Sequence, residues 1–103
     1  GNADGPFVYT GFRPAFLMIK RTDSANDWVM YDNKRRGYNV DNDYFKANAN
    51  SADQADVDLD LLSNGFKMRN TANAHNASGG TFIYAAFAEA PFVNSEGVPN
   101  NAR

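Results

Sequence analysis

The stretch TFIYAAFAEAPF, Thr81 to Phe92, decides between two possible folds for this chain. Its alanines favour a helix, and a helix here would have a workable amphipathic face. However, Thr81–Tyr84 is a run of four β-favouring residues, and Gly79-Gly80 is a poor N-cap, although Ser78 nearby could serve. A strand over this stretch would be apolar on both faces, as the central strand of a sheet requires. We therefore predict a strand in the middle of a sheet.

The rest of the chain also predicts short strands separated by turns. An apolar run after Pro14 predicts a doubly covered strand, and Asp27–Asp32 predicts its hairpin partner. Asn64-Gly65 is a turn dipeptide that favours left-handed backbone, with alternating residues on both sides. Further strands are expected near Phe7–Thr10 and Tyr44–Lys46. We predict one all-β domain over residues 1–103, an antiparallel β-sandwich of about six to eight strands, with strand order and the choice between sandwich and barrel left open.

Composition excludes several classes of function. The chain has 103 residues, a net charge of −2 and scattered Lys and Arg, so it lacks the basic stripe of a nucleic-acid binder. No apolar run approaches the roughly 20 residues of a membrane-spanning helix, and we expect no membrane insertion. Cysteine is absent, which removes disulfides and thiolate chemistry. Fourteen asparagines suit a fold with many turns.

Three aspartates with a spacing of two, Asp56, Asp58 and Asp60, resemble the start of a calcium-binding loop. The full pattern also needs Gly at position 6 and Glu at position 12, where this chain has Leu61 and Lys67. Apolar residues alternate with these aspartates, which favours a strand with a solvated acidic face. We therefore predict no metal site here.

His75 is the only histidine, and its neighbours in the chain are Asn and Ala. We expect it at the surface, because this segment has the composition of a loop. No strained nucleophile turn nearby would complete a catalytic triad. Asn76-Ala77-Ser78 matches the N-glycosylation sequon, which we interpret as accidental in an Asn-rich chain. No pair of carboxylates is in a context that singles it out. The sequence therefore predicts a protein that is not an enzyme and has no cofactor.

Polar and aromatic residues concentrate in two predicted loops, Lys34–Asp56 and Asn70–Gly80. Aromatic rings stack on sugar rings, and Arg and Asn hydrogen-bond to hydroxyl groups. An equally valid interpretation is that Tyr38 and Tyr44 only pin the long loop to the sandwich. The candidate binding residues are Arg35, Arg36, Tyr38, Tyr44, Asn73, His75 and Asn76.

Four segments together resemble a domain of bacteriophage tail-fibre and tail-tip proteins. They begin with a Gly-Phe-x-Pro turn and an apolar strand that ends in Lys, and they include a Gly-Thr-aromatic-Ile-Tyr-x-Ala strand. The segments are Gly11–Asp32, Leu62–Arg69, Asn76–Phe92 and Asn94–Arg103. The resemblance implies a lectin-like or jelly-roll sandwich, a C-terminal part of a longer homotrimeric fibre, and a location in the virion.

Two functions follow from this resemblance as expectations. In the first, the loops bind a bacterial surface receptor, either a glycan or an outer-membrane protein, during host adsorption. In the second, the domain is a structural trimerisation cap or attachment domain, because the apolar strands Ala15–Ile19 and Thr81–Ala88 could pack on a sister subunit. A capsule depolymerase is a third possibility, but such enzymes usually need a longer scaffold and a groove.

Overall fold

The computed structural model describes residues 1–35, 39, 43–90, 92–93 and 95–100. Its regular structure in these residues is entirely β, with no helix, which confirms the all-β prediction. The described residues contain no helix that is long and apolar enough to cross a membrane. The strands are β1 Phe7–Tyr9, β2 Pro14–Arg21, β3 Trp28–Asp32, β4 Tyr44–Lys46, β5 Leu59–Leu62, β6 Gly65–Met68, β7 Phe82–Ala88, β8 Phe92–Val93 and β9 Pro99–Asn100.

Seven of these strands form two antiparallel sheets that make a β-sandwich. One sheet has four strands in the order β4-β3-β2-β7, and the other has three in the order β1-β6-β5. The pairs β2–β3 and β5–β6 are consecutive along the chain, as predicted from the turns between them. Strands β8 and β9 form a separate two-stranded ribbon.

The core lies between the two sheets and follows from strand alternation. Each sheet turns every second side chain inward, and these inward residues are large and apolar. The buried cluster consists of Leu17, Ile19, Val29, Tyr31, Leu59, Leu61, Phe66 and Met68. Full burial of one such aliphatic or aromatic side chain is worth about 1.5–3 kcal/mol, so this cluster is the main source of stability.

Strand β7 lies within the stretch for which we predicted a central strand, and the predicted central position is wrong. It is a strand, as predicted, but among the strands of the described residues it pairs only with β2 and lies at the edge of its sheet. Phe82 and Ala86 pack against the core, whereas Ile83 is 52% exposed and Phe87 61% exposed. A strand with two apolar faces is compatible with two covered faces or with one, and the local pattern does not distinguish them. The central position belongs to β2, where Leu17 is completely buried.

Gly65 is needed for a different reason from the one that the sequence suggested. The turn after β5 is present at residues 63–64, but Gly65 is not among the glycines with positive φ. Instead, Gly65 is the first residue of β6 and pairs with Tyr9 of β1. A Cβ atom at this position would clash with the backbone carbonyl oxygen of Val8. The glycine therefore allows close approach of two backbones rather than a left-handed turn.

Candidate functional site

Several exposed apolar side chains lie on the side of the four-stranded sheet that faces away from the core. Because Leu17 and Ile19 of β2 point inward, the residues between and beside them point outward, and register extends the same face over the neighbouring strands. We call this surface the outer face. It comprises the apolar residues Phe16, Met18, Trp28, Met30, Phe45, Ile83, Ala85 and Phe87, with the charged residues Lys20 and Asp32 on the same side of the sheet.

Aromatic side chains give the outer face its shape. Phe16 and Phe87 are directly opposite each other in the β2–β7 pair, and their rings meet edge to face with centroids 5.7 Å apart. At the opposite edge of the sheet, in β4, the Arg35 guanidinium lies 3.2 Å from the centroid of the Phe45 ring. The face therefore has an open apolar end at β7 and a partly covered end at β4.

Two of the predicted binding residues in the long loop have structural contacts. Arg35 Nε is 2.7 Å from an Asp32 carboxylate oxygen, and its Nη1 is 3.5 Å from Asp53. The Tyr44 hydroxyl donates to Gln54 Oε1 at 2.6 Å. These contacts agree with the interpretation that the loop is pinned to the sandwich. The predicted residues Arg36 and Tyr38 lie outside the described residues.

A buried polar cluster lies at one end of the core and corrects two predictions. His75 is 5% exposed and Asp58 is 1% exposed, so both are buried. The prediction that they lie at the surface is wrong. The Tyr31 hydroxyl donates to Asp58 Oδ2 at 3.0 Å and lies 3.3 Å from His75 Nδ1. The Asn70 amide donates to the other Asp58 oxygen. We call Tyr31, Asp58, Asn70 and His75 the buried polar cluster.

His75 Nε2 faces two oxygen acceptors, Asn70 Oδ1 at 2.9 Å and Asp58 Oδ1 at 3.3 Å. Oxygens of this kind accept hydrogen bonds, so Nε2 carries a proton and donates it. Burial raises the pKa of the Tyr31 hydroxyl well above its ordinary range, and the Asp58 charge raises that pKa further. Tyr31 therefore stays neutral and donates its one hydroxyl proton to Asp58, while its oxygen lies 3.3 Å from His75 Nδ1.

Asp58 points inward because it precedes the regular part of its strand. β5 begins at Leu59, and the backbone carbonyl of Asp58 accepts from the Arg69 amide at 2.7 Å. Strict alternation would place adjacent residues on opposite faces, yet Asp58 and Leu59 are both buried. The sequence signal that could have found the cluster was Asp58 itself, a carboxylate directly before the leucine-rich strand β5.

The remaining predicted residues lie in the same loop as His75. Asn76 is 4% exposed, and its amide nitrogen donates to three backbone carbonyls, those of Asn2, Gly5 and Asn70. A glycan on this nitrogen would be incompatible with the fold, which agrees with our interpretation of the sequon as accidental. Asn73 is exposed, and its backbone carbonyl accepts from Arg21 at 3.4 Å.

This arrangement has the chemistry of a structural tether. It combines a carboxylate, an imidazole and a phenol, but all three bond to one another or to Asn70 inside the core. Over the described ranges, no three His, Asp or Glu side chains form a group that could hold a metal ion. The buried polar cluster therefore fixes the 70–76 loop, and the outer face is the better candidate for contact with another molecule.

Comparison with known proteins gives one match. A family model described as "Domain of unknown function (DUF7483)" matches residues 1–91. Searches of curated proteins and of solved structures find no match.

Proposed function

The chain belongs to the DUF7483 family, and we propose that it is a non-catalytic assembly module that associates with further copies of itself through the outer face. The observation that carries this proposal is the exposure of large apolar side chains on one continuous sheet surface. Ile83, Phe87 and Trp28 are 52%, 61% and 36% exposed on that surface. The largest contiguous apolar patches on protein surfaces are often interaction sites.

The chemistry of the outer face favours a protein partner over a sugar. Met18, Met30 and Phe16 offer contact area but no hydrogen-bond donors for the hydroxyl groups of a glycan. The neighbouring Lys20 ammonium already donates to the backbone carbonyls of Arg21 and Asn26, both at 2.8 Å. A partner with its own apolar surface matches this face best.

A second copy of the chain meets this requirement without electrostatic repulsion. Several charged residues around the outer face are paired with opposite charges, among them Arg13 with Glu89 at 3.4 Å and Lys46 with Asp27 at 3.0 Å. Arg35 is likewise paired with Asp32. Two identical surfaces with neutralised rims can therefore approach each other, and an apolar face is complementary to a copy of itself.

The size of the face predicts a weak association between isolated chains. The strands β2, β3, β4 and β7 have 8, 5, 3 and 7 residues, and at about 3.3 Å per residue and about 4.8 Å between strands they cover roughly 360 Å². A standard interface buries about 800 Å² on each partner. In a fibre, however, neighbouring copies are held together by the rest of the protein, which makes their contact intramolecular and raises its effective strength. The resemblance to trimeric phage fibres supplies that setting for our proposal.

Sedimentation velocity over a range of concentrations tests the proposal. The parent chain should show reversible association at high concentration, and its stoichiometry would report whether the copies surround a twofold or a threefold axis. Phe87→Lys should weaken this association at least about tenfold, because the variant no longer buries a Phe side chain worth about 1.5–3 kcal/mol. Val57→Lys is the matched control, since Val57 is 48% exposed outside the outer face. Equal behaviour of the two variants would contradict the proposal.

Binding of a host receptor by the loops is our second candidate function. The observation that favours it is the exposure of Asn73 at a turn beside the sandwich. Adhesion of the purified domain to whole host cells, or to a glycan array, would test it with Asn73→Ala, Arg36→Ala and Tyr38→Ala. Loss of adhesion in these variants with an unchanged melting temperature would support loop-mediated binding. Adhesion equal to that of the parent would exclude these residues from the site.

A further inference from the structure

A cavity of about 200 Å³ lies between the two sheets, at the side of the sandwich where β1 and β7 are the outermost strands. Val8 of β1 and Phe66 of β6 form one wall, and Phe82 and Tyr84 of β7 form the other. The Phe66 and Tyr84 rings meet edge to face with centroids 5.3 Å apart. This cavity is on the opposite side of β7 from the outer face.

The lining of the cavity suits an apolar group. Its lining residues include no Asp, Glu, Lys or Arg. The polar side chains of the lining are those of His75, Asn76 and Tyr84. The side-chain nitrogen atoms of His75 and Asn76 are already hydrogen-bonded within the protein. The Tyr84 hydroxyl alone cannot replace the hydration that a charged or polyhydroxylated ligand would lose on entering.

The backbone edge of β7 beside this cavity has unpaired hydrogen-bonding groups. The Thr22 amide donates to Thr81 O at 2.9 Å, which makes this a hydrogen-bonded pair. Such pairs alternate along an antiparallel ladder, so the N–H and C=O groups of Phe82, Tyr84 and Ala86 point away from β2. In the described part of the chain, nothing pairs with these groups. Their side chains face the core side, where the cavity lies.

The opposite edges of both sheets are covered. Asn39 bonds to the backbone of Leu61 in β5 through both ends of its amide, at 2.7 and 3.0 Å. The backbone of Gln54 pairs with Tyr44 of β4, with two hydrogen bonds of 2.9 Å. Natural proteins also protect edge strands with charges or proline, but β7 contains neither. The described residues thus leave the β7 edge uncovered, and the strand itself contains no protecting residue.

We propose that an extended segment of a partner chain adds to the β7 edge as a further strand and inserts one aromatic side chain into the cavity. Backbone groups of Phe82, Tyr84 and Ala86 would supply the hydrogen bonds, and the cavity would select the side chain. An engineered cavity of about 150 Å³ holds a benzene ring, so about 200 Å³ accommodates one phenyl group. Strand addition with a pocket for an alternate side chain is an established mode of peptide recognition.

A synthetic peptide tests this directly, with the intact chain as the receptor. The probe is the capped heptapeptide Thr-Val-Thr-Phe-Thr-Val-Thr, titrated into the isotope-labelled protein and followed by amide chemical shifts. We expect saturable shifts of Tyr84 and Ala86, at the β7 edge, and of Val8, at the cavity wall. A peptide with Gly in place of its Phe should bind at least about tenfold more weakly. Methylation of the alternate backbone nitrogens that face β7 should weaken binding to a similar extent.

Two protein variants separate this site from the outer face. Val8→Phe fills the cavity and should abolish peptide binding, with a thermal melt to show that the variant folds. Trp28→Lys alters the outer face on β3, away from the β7 edge, and should leave peptide affinity unchanged, even if it abolishes self-association. Shifts confined to the outer face would overturn the proposal. So would equal binding of the Phe and Gly peptides, or entry of benzene into the cavity without any binding of the peptide.

Discussion

Replacement of Asp58 by alanine is the strongest test of how this fold is held together. Asp58 is 1% exposed and accepts hydrogen bonds from the Tyr31 hydroxyl and the Asn70 amide, with His75 Nε2 3.3 Å away. Asp58→Ala would leave the Tyr31 and Asn70 donors without their acceptor in the core, whereas His75 Nε2 would keep Asn70 Oδ1. Each buried donor that loses its partner costs about 1–3 kcal/mol. For these two donors together we expect a loss of about 2–6 kcal/mol.

That loss is large compared with the total stability of the domain. A chain of this length typically has a free energy of unfolding of about 5–15 kcal/mol. Each kcal/mol lowers the melting temperature of such a domain by about 4–8 °C. Urea denaturation followed by the fluorescence of Trp28, the single tryptophan, would measure the change. If Asp58→Ala does not fold, Asp58→Asn retains the shape and replaces only one acceptor oxygen, so it should show a smaller loss of about 1–3 kcal/mol.

Asp56→Ala is the control, since Asp56 belongs to the same aspartate series but is exposed. It should change the free energy of unfolding by less than about 0.5 kcal/mol. Similar losses for Asp56→Ala and Asp58→Ala would refute the role that we give to the buried polar cluster.

Three further predictions follow from particular side chains. Leu17→Ala should lower the free energy of unfolding by about 2.7–5 kcal/mol because Leu17 is fully buried, whereas Phe87→Ala at the exposed edge should lower it much less. Chemical denaturation would measure both losses, and the reverse order would contradict this prediction. Gly65→Ala should separate β1 from β6, since its Cβ would meet Val8 O, and amide hydrogen exchange should then accelerate in β1. Stability should fall as the pH rises above about 10, because unfolded chains lose the tyrosine proton there while Tyr31 retains it in the fold, so the unfolded state binds fewer protons. Tyr31→Phe should flatten this decline in thermal melts, and an unchanged slope would show that Tyr31 is not its source.

The positions of the strands could be predicted because their signals are local. The apolar run before Arg21, the hairpin to β3 and the alternation around Phe66 are readable from neighbouring residues. The position of β7 within its sheet was predicted wrongly, because it depends on which distant strand comes to lie beside it. Composition indicates that both faces of β7 are apolar, but not that one of them stays exposed.

The buried polar cluster shows a second limit of the sequence. Tyr31, Asp58 and His75 are separated by 27 and 17 positions, and nothing in the residues between them marks the contact. His75 has the neighbours of an ordinary surface loop, yet the loop folds inward because Asn76 ties it to the backbone of Asn2 and Gly5. The energetic need for each buried polar group to find a partner could be stated in advance, but the identity of that partner could not.

The pairing of β2 with β7 also has a consequence for the kinetics of folding. One partner of β2 is β3, which follows it directly in a hairpin. Its other partner is β7, and most of the chain lies between β2 and β7 in the sequence. Closing so long a loop costs conformational entropy before any contact rewards it, which places domains of this topology among the slow, millisecond-to-second folders. During synthesis, β2 must therefore wait with an unpaired apolar edge until β7 has left the ribosome, and this interval is when a nascent chain is most exposed to aggregation.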